Sequence, residues 1–202
     1  MIKTDILAET IEIPSEISSY KVKKLSCVEK AALVWVSLTG VFEGNNVVKE
    51  IIIPEGVVET YGPAIANCYN LEKITIPGTM TTFDVVRCDN LKEVNIVDGD
   101  TITESFSFSD CSGLEEIYLP KQINKISTNA FARCYSLKNV KFSKNVYCIE
   151  SVAFQGCTSL TNIDLPDKLS EIGSNAFQWC TSLQTICLLY TSPSPRDVEE
   201  SR

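Results

Sequence analysis

One recurring cysteine sets the geometry of this chain. Cys88, Cys111, Cys134, Cys157 and Cys180 stand 23 residues apart, and each is followed three positions later by Leu91, Leu114, Leu137, Leu160 or Leu183. Cys68 and Leu71 open the series, at a spacing of 20 from the next member. A fixed period of this length is the signature of a solenoid, in which no repeat can bury its apolar face alone and neighbours supply the other wall. Such an array works through a long surface rather than a deep central pocket.

Within a repeat the residue pattern is specific. One unit runs Cys157-Thr-Ser-Leu160-Thr-Asn-Ile163-Asp-Leu165-Pro166, then Leu169, Ile172, Ala176-Phe177 and Cys180. The alternation at Ile163 and Leu165 predicts a short β-strand with those two side chains turned inward. Proline at the strand end (Pro54, Pro77, Pro120, Pro166) has no N–H to donate and turns the chain. The second half, with Ile126, Ala130 and Phe131 in the preceding unit, reads as a brief extended piece followed by a helical turn that carries Ala-Phe to the core.

The sequence Ile/Leu-Pro, a spaced Ile, Ala-Phe and Cys-x-Ser-Leu resembles the BspA-type leucine-rich repeat, from about Val48 to Ile186. The resemblance implies a leucine-rich-repeat solenoid, right-handed, with short parallel β-strands on one face and extended pieces and short helical turns on the other. It also implies a cell-surface or secreted setting and adhesion to a protein ligand such as a host or extracellular-matrix protein. Departures are local: the unit from Pro77 to Cys88 is three residues short, Val85-Val86 replaces Ala-Phe, and Ile65-Ala66 and Phe106-Ser107-Phe108 blur the pattern. The array is expected to span 45–186 as about six rungs. Residues 1–44 fit the period poorly and are expected to form an N-terminal cap or irregular region, although Ile11-Glu-Ile13-Pro14 has the look of one strand-and-proline unit.

The last segment, 187–202, reads differently. Cys187 to Asp197 matches, without a mismatch, one reading frame of a transposase sequencing adapter, and Val198 to Arg202 fit an index followed by constant adapter bases. It is expected to be a non-native tail, set against the alternative of a Pro/Ser-rich linker. Self-association through an uncapped last rung is the corollary.

Composition narrows the function. A net charge of −8 with no basic block argues against nucleic acid as a partner. No apolar run approaches the ~20 residues of a membrane-spanning helix. Met1 to Glu9 lacks the apolar core of a secretory signal, which taken literally keeps the chain in the cytoplasm; both ends are expected to be incomplete. The chain has no histidine, which removes Ser-His-Asp and Cys-His catalysis and imidazole metal ligands. Asp98-Gly99-Asp100 lacks the downstream ligand spacing of a calcium loop and reads as a turn. No catalytic, cofactor or metal site is expected, and the protein reads as non-enzymatic.

Two sets of residues remain. The ladder cysteines (Cys68, Cys88, Cys111, Cys134, Cys157, Cys180) admit a disulfide or metal reading. However, equivalent side chains in a parallel stack point the same way instead of converging, so they read as small buried hydrophobes at a tight turn. On the strands, the position between the two inward residues reads Ile52, Thr75, Asn95, Tyr118, Lys141 and Asp164, and the position two earlier reads Glu50, Lys73, Glu93, Glu116, Asn139 and Asn162. Thr75, Asn95, Tyr118, Lys141 and Asp164 are the candidate partner-binding residues, with Tyr118 as the anchor. The function expected is a protein-interaction scaffold acting through this face, with a purely structural spacer in a larger surface protein as the alternative.

Overall fold

Two parallel ladders run along the chain, one on each flank of every rung. The computed structural model describes residues 42–61 and 65–188, with the backbone of four short strands before them, Thr10–Glu12, Glu16–Ile17, Tyr20–Lys21 and Lys24–Ser26. The first ladder takes the strand predicted from the alternation. It contains Glu50–Ile52, Lys73–Ile76 and Glu93–Ile96, then Glu116–Tyr118 with Asn139–Lys141, then Asn162–Leu165 with Thr185–Leu188. Every pairing is parallel and joins equivalent positions, such as Val94 to Ile74 and Ile117 to Val140. Because side chains alternate across a strand, this register stacks Ile51, Ile74, Ile117, Val140 and Ile163 into one buried column.

The second ladder is built from the extended pieces. Glu59–Tyr61, Thr82–Val86 and Ser105–Ser107 share one sheet; Lys125–Ile126, Cys148–Ile149 and Glu171–Ile172 form another. The shortened unit explains itself here. Val85 and Val86 continue Thr82 to Asp84 as one strand, where later rungs insert a turn. Two β-branched residues favour that extended backbone.

The expected helical turns are not present: among the described residues there is no α-helix. The Ala-Phe segments at 128–133, 151–156 and 174–179 are chains of tight turns. Alternate N–H groups leave the rung. Ala130 and Ala132 donate within it, to Ser127 and Asn129 carbonyls, whereas Asn129, Phe131 and Arg133 donate to Ser151, Ala153 and Gln155 of the next rung. A helix would consume all of these donors internally, so the stack takes half of them instead. The alternation requires left-handed residues, and Asn129, Arg133, Val152, Asn175 and Trp179 have φ between 55° and 62°.

Between the ladders lies a continuous apolar core that includes an aromatic column. Phe131, Phe154 and Phe177 stack with their ring planes nearly parallel, at centroid distances of 5.2 and 5.3 Å. Phe106 meets Phe131 edge-on at 5.7 Å and Phe83 at 5.7 Å, which extends the column through the irregular rungs. At the N-terminal end, Thr10–Glu12 pairs in parallel with Glu50–Ile52, so the Ile11 unit joins the first ladder 40 residues ahead of its neighbour. Most of the rest of 1–44 lies outside the described residues. At the other end the strand register runs on through Cys187 and Leu188, and the remainder of the expected tail, 189–202, lies outside the described residues.

Candidate functional site

The ladder cysteines are buried or half-buried and unpaired, and they make hydrogen bonds that the spacing does not reveal. Cys68, Cys88, Cys111, Cys134 and Cys157 are fully buried and Cys180 is half-buried. Cys134, Cys157 and Cys180 each donate S–H to the carbonyl of the phenylalanine 26 residues earlier (Phe108, Phe131 and Phe154), at 3.1 Å in all three cases. Cys111 reaches Val85 O at 3.3 Å in the same way, and Cys68 reaches Phe42 O. The Phe131 and Phe154 carbonyls also accept the N–H of Cys134 and Cys157, so both lone pairs of one oxygen are used and two rungs are tied at one atom. A thiol suits this place because it is apolar enough to bury and still a weak donor. Burial pushes the Cys134 thiol up to about 12, which holds it in the protonated, donating form. Among the described residues no group of three or more His, Cys, Asp or Glu side chains is arranged to hold a metal ion, and no helix is long and apolar enough to cross a membrane.

The candidate binding residues fall on one surface, the solvent side of the first ladder. Asn95, Tyr118, Lys141 and Asp164 are exposed and Thr75 is half-buried. Thr75 pairs in register with Asn95, and Tyr118 with Lys141. Tyr118 keeps 54% of its surface accessible, high for an aromatic side chain flanked by neighbouring strands.

Rows of charge run across these strands, perpendicular to the chain. Residues at the strand entry read Lys49, Glu72, Lys92, Glu115 and Lys138, alternating in sign at each rung. In the next row Lys73 lies between Glu50 (3.7 Å) and Glu93 (3.0 Å), and the ammonium is held above its ordinary range by Glu93 first and Glu50 second. Lys138 bonds Glu115 at 2.7 Å and holds that carboxyl below its usual range. These pairs are exposed and screened by solvent, so each adds little to stability. Their value is in register, since a slipped rung would set like charges side by side.

The face is not continuous. The ladder opens between Glu93–Ile96 and Glu116–Tyr118, and again between Asn139–Lys141 and Asn162–Leu165. At intact steps the carbonyls of Glu72 and Glu115 each take two N–H groups from the following rung; the Lys92 carbonyl, at the first opening, takes neither from Glu115 nor from Glu116. At this step Glu93 and Glu116 occupy equivalent positions on adjacent rungs, a like-charge juxtaposition that disfavours close pairing. The second opening has no like-charge pair, and nothing in the structure explains it. The first opening forms a shallow recess of about 180 Å³, lined by Lys92, Glu93 and Val94 on one strand and Glu116, Ile117 and Tyr118 on the next, with Lys141 at its edge. Asn95 and Tyr118 therefore face each other across one opening, and Lys141 and Asp164 across the other. Alternation in the sequence identifies the row but not the openings. The absent cation at 93/116 is the one signal that could have located the first.

Comparison with known proteins agrees with this architecture. The family model described as the BspA-type leucine-rich repeat region matches as six copies over residues 7–86, 38–134 and 86–192. A leucine-rich cell-surface protein from Faecalibacterium prausnitzii is similar at 28% identity and a TM-score of 0.66; the match covers 89% of this chain and 47% of that one. The leucine-rich repeat protein of T. pallidum matches at 20% identity and a TM-score of 0.38, over 89% of this chain and 58% of its own. The chain thus spans about half the length of these relatives. No curated protein matches it. The repeat, its register and the family match together place this chain in the BspA-type leucine-rich repeat family.

Proposed function

We propose that the protein is a non-enzymatic interaction scaffold that binds another protein through the solvent face of its first strand ladder. The observation that carries this reading is the exposed Tyr118 at the edge of a recess in the ladder, paired with Lys141 and in the same outward row as Asn95 and Asp164. An aromatic ring at the centre of a rigid polar surface is the arrangement expected of a binding hot spot. The similar Faecalibacterium protein is described as a cell-surface protein, and this supports a surface or secreted setting with adhesion to host or matrix proteins. Many modest contacts along the stack would supply the affinity.

The test uses the purified chain and a panel of immobilised extracellular-matrix proteins. Tyr118→Ala, Lys141→Glu and Asp164→Lys should each weaken capture by about tenfold, as expected of central or charge-paired contacts, without lowering the thermal midpoint. A panel that captures nothing, or binding that survives all three changes combined, refutes the reading.

A further inference from the structure

The recess between Glu93–Ile96 and Glu116–Tyr118 carries a specific charge vacancy. Along its row the charges read Glu50, Lys73, Glu93, Glu116. Lys73 bridges the first two carboxylates, so the alternation holds up to Glu93 and then fails. Lys92 belongs to the adjoining row, beside Glu115, and Lys141 stands at the far edge next to Tyr118. Among the described residues no cation of this row stands between Glu93 and Glu116, and the strand pairing lapses at this step.

The recess has the other features that a long cationic side chain uses. Its apolar floor is the buried Ile117 and half-buried Val94, which would cover an aliphatic stem. Exposed Tyr118 also lines the recess, and an aromatic ring beside a seated cation adds a cation–π attraction. The Lys92 carbonyl, without an N–H from the next rung, is free to accept a bond from an ammonium or guanidinium. The chain as a whole is acidic, at net charge −8, which favours encounter with a basic partner.

We propose that this recess seats a lysine or arginine side chain from an extended segment of a basic partner protein, whose cation takes the place between Glu93 and Glu116. The proposal rests on the reading of the strand face as the interaction surface and names what that surface selects. Partner cations spaced to skip Lys92 and Lys141 fit best, because those two lysines repel charge at either end.

The experiment uses the full chain and fluorescence anisotropy with a labelled synthetic peptide of alternating serine and lysine. A serine–glutamate peptide serves as its counterpart. Glu93→Gln/Glu116→Gln should weaken the lysine peptide by about tenfold. Glu55→Gln/Glu104→Gln, which changes net charge equally at exposed sites away from the recess, should change it less than about twofold. Glu116→Lys, which supplies the cation from within, should remove recess binding at an unchanged thermal midpoint. Equal effects of the two glutamine pairs, equal binding of the glutamate peptide, or retention by Glu116→Lys would overturn the inference. If the recess variants leave the peptide bound while Tyr118→Ala, Lys141→Glu and Asp164→Lys still release a matrix protein, the cation site falls and the interaction face stands.

Discussion

The aromatic column makes a quantitative claim about where stability resides along the stack. Phe154 is fully buried and touches three rings: Phe131 at 5.2 Å, Phe177 at 5.3 Å and Phe142 edge-on at 6.1 Å. Phe177 lies one rung further on, is half-buried, and among the described residues has Phe154 as its one ring partner. Replacing a buried phenylalanine by alanine costs about 3–5 kcal/mol, and each ring pair accounts for about 0.5–1.5 kcal/mol beyond area. Phe154→Ala should fall at the top of that range. Phe177→Ala forfeits one pair and about half of the transfer term, which gives about 1.5–2.5 kcal/mol. In urea, with a slope of about 2 kcal/mol/M, the midpoints should drop by about 2.5 M for Phe154→Ala and by about 1 M for Phe177→Ala. Circular dichroism of the strand signal reports both. Equal losses would show that the rungs unfold as one indivisible unit, and a larger loss for Phe177→Ala would refute the column as the seat of stability.

Two further outcomes follow from particular residues. Val152 has φ 55° at the position where neighbouring rungs carry Asn129 and Asn175; a β-branched residue is disfavoured in that left-handed region, so Val152→Asn should raise stability by about 1 kcal/mol in the same urea assay. Cys134 titrates at about 12 in the folded chain against an ordinary 9.0. With the folded value raised, its contribution is complete below the unfolded value and is lost as pH climbs from about 9 towards 12. Unfolding midpoints measured across that window should fall less steeply in Cys134→Ala than in the unaltered chain, and identical slopes would contradict the assignment.

Much of this architecture could be read from spacing because a stack repeats its physics. The Ile163 and Leu165 alternation gives the strand, and the 23-residue recurrence of cysteine and leucine gives the register that sets Ile117 against Val140. What escaped was whatever depends on the neighbouring rung and not on the residue's own. Ala130 and Phe131 have helical spacing, yet the Phe131 N–H bonds Ala153 O, and no local pattern announces that exchange. The strand at Ile11 is legible in Ile11-Glu-Ile13-Pro14, but its partner 40 residues on is not, since pairing in space does not require an even interval in sequence. The candidate surface was legible as a row of variable residues. Its opening depends on two glutamates 23 positions apart meeting without a lysine between them, a relation visible only once the rows are laid side by side.

The carbonyl shared by one cysteine N–H and the next rung's thiol has a consequence for how such a gene can change. From Phe108 onward each rung offers its successor the same acceptor at the same place and receives the same donor from it. A tandem duplication that copies one whole repeat therefore inserts a part whose two sides already fit, whereas a deletion is absorbed inside the unit it shortens, as in the unit that ends at Cys88, whose thiol turns to Val86 O of its own rung. Length is then the easily inherited variable.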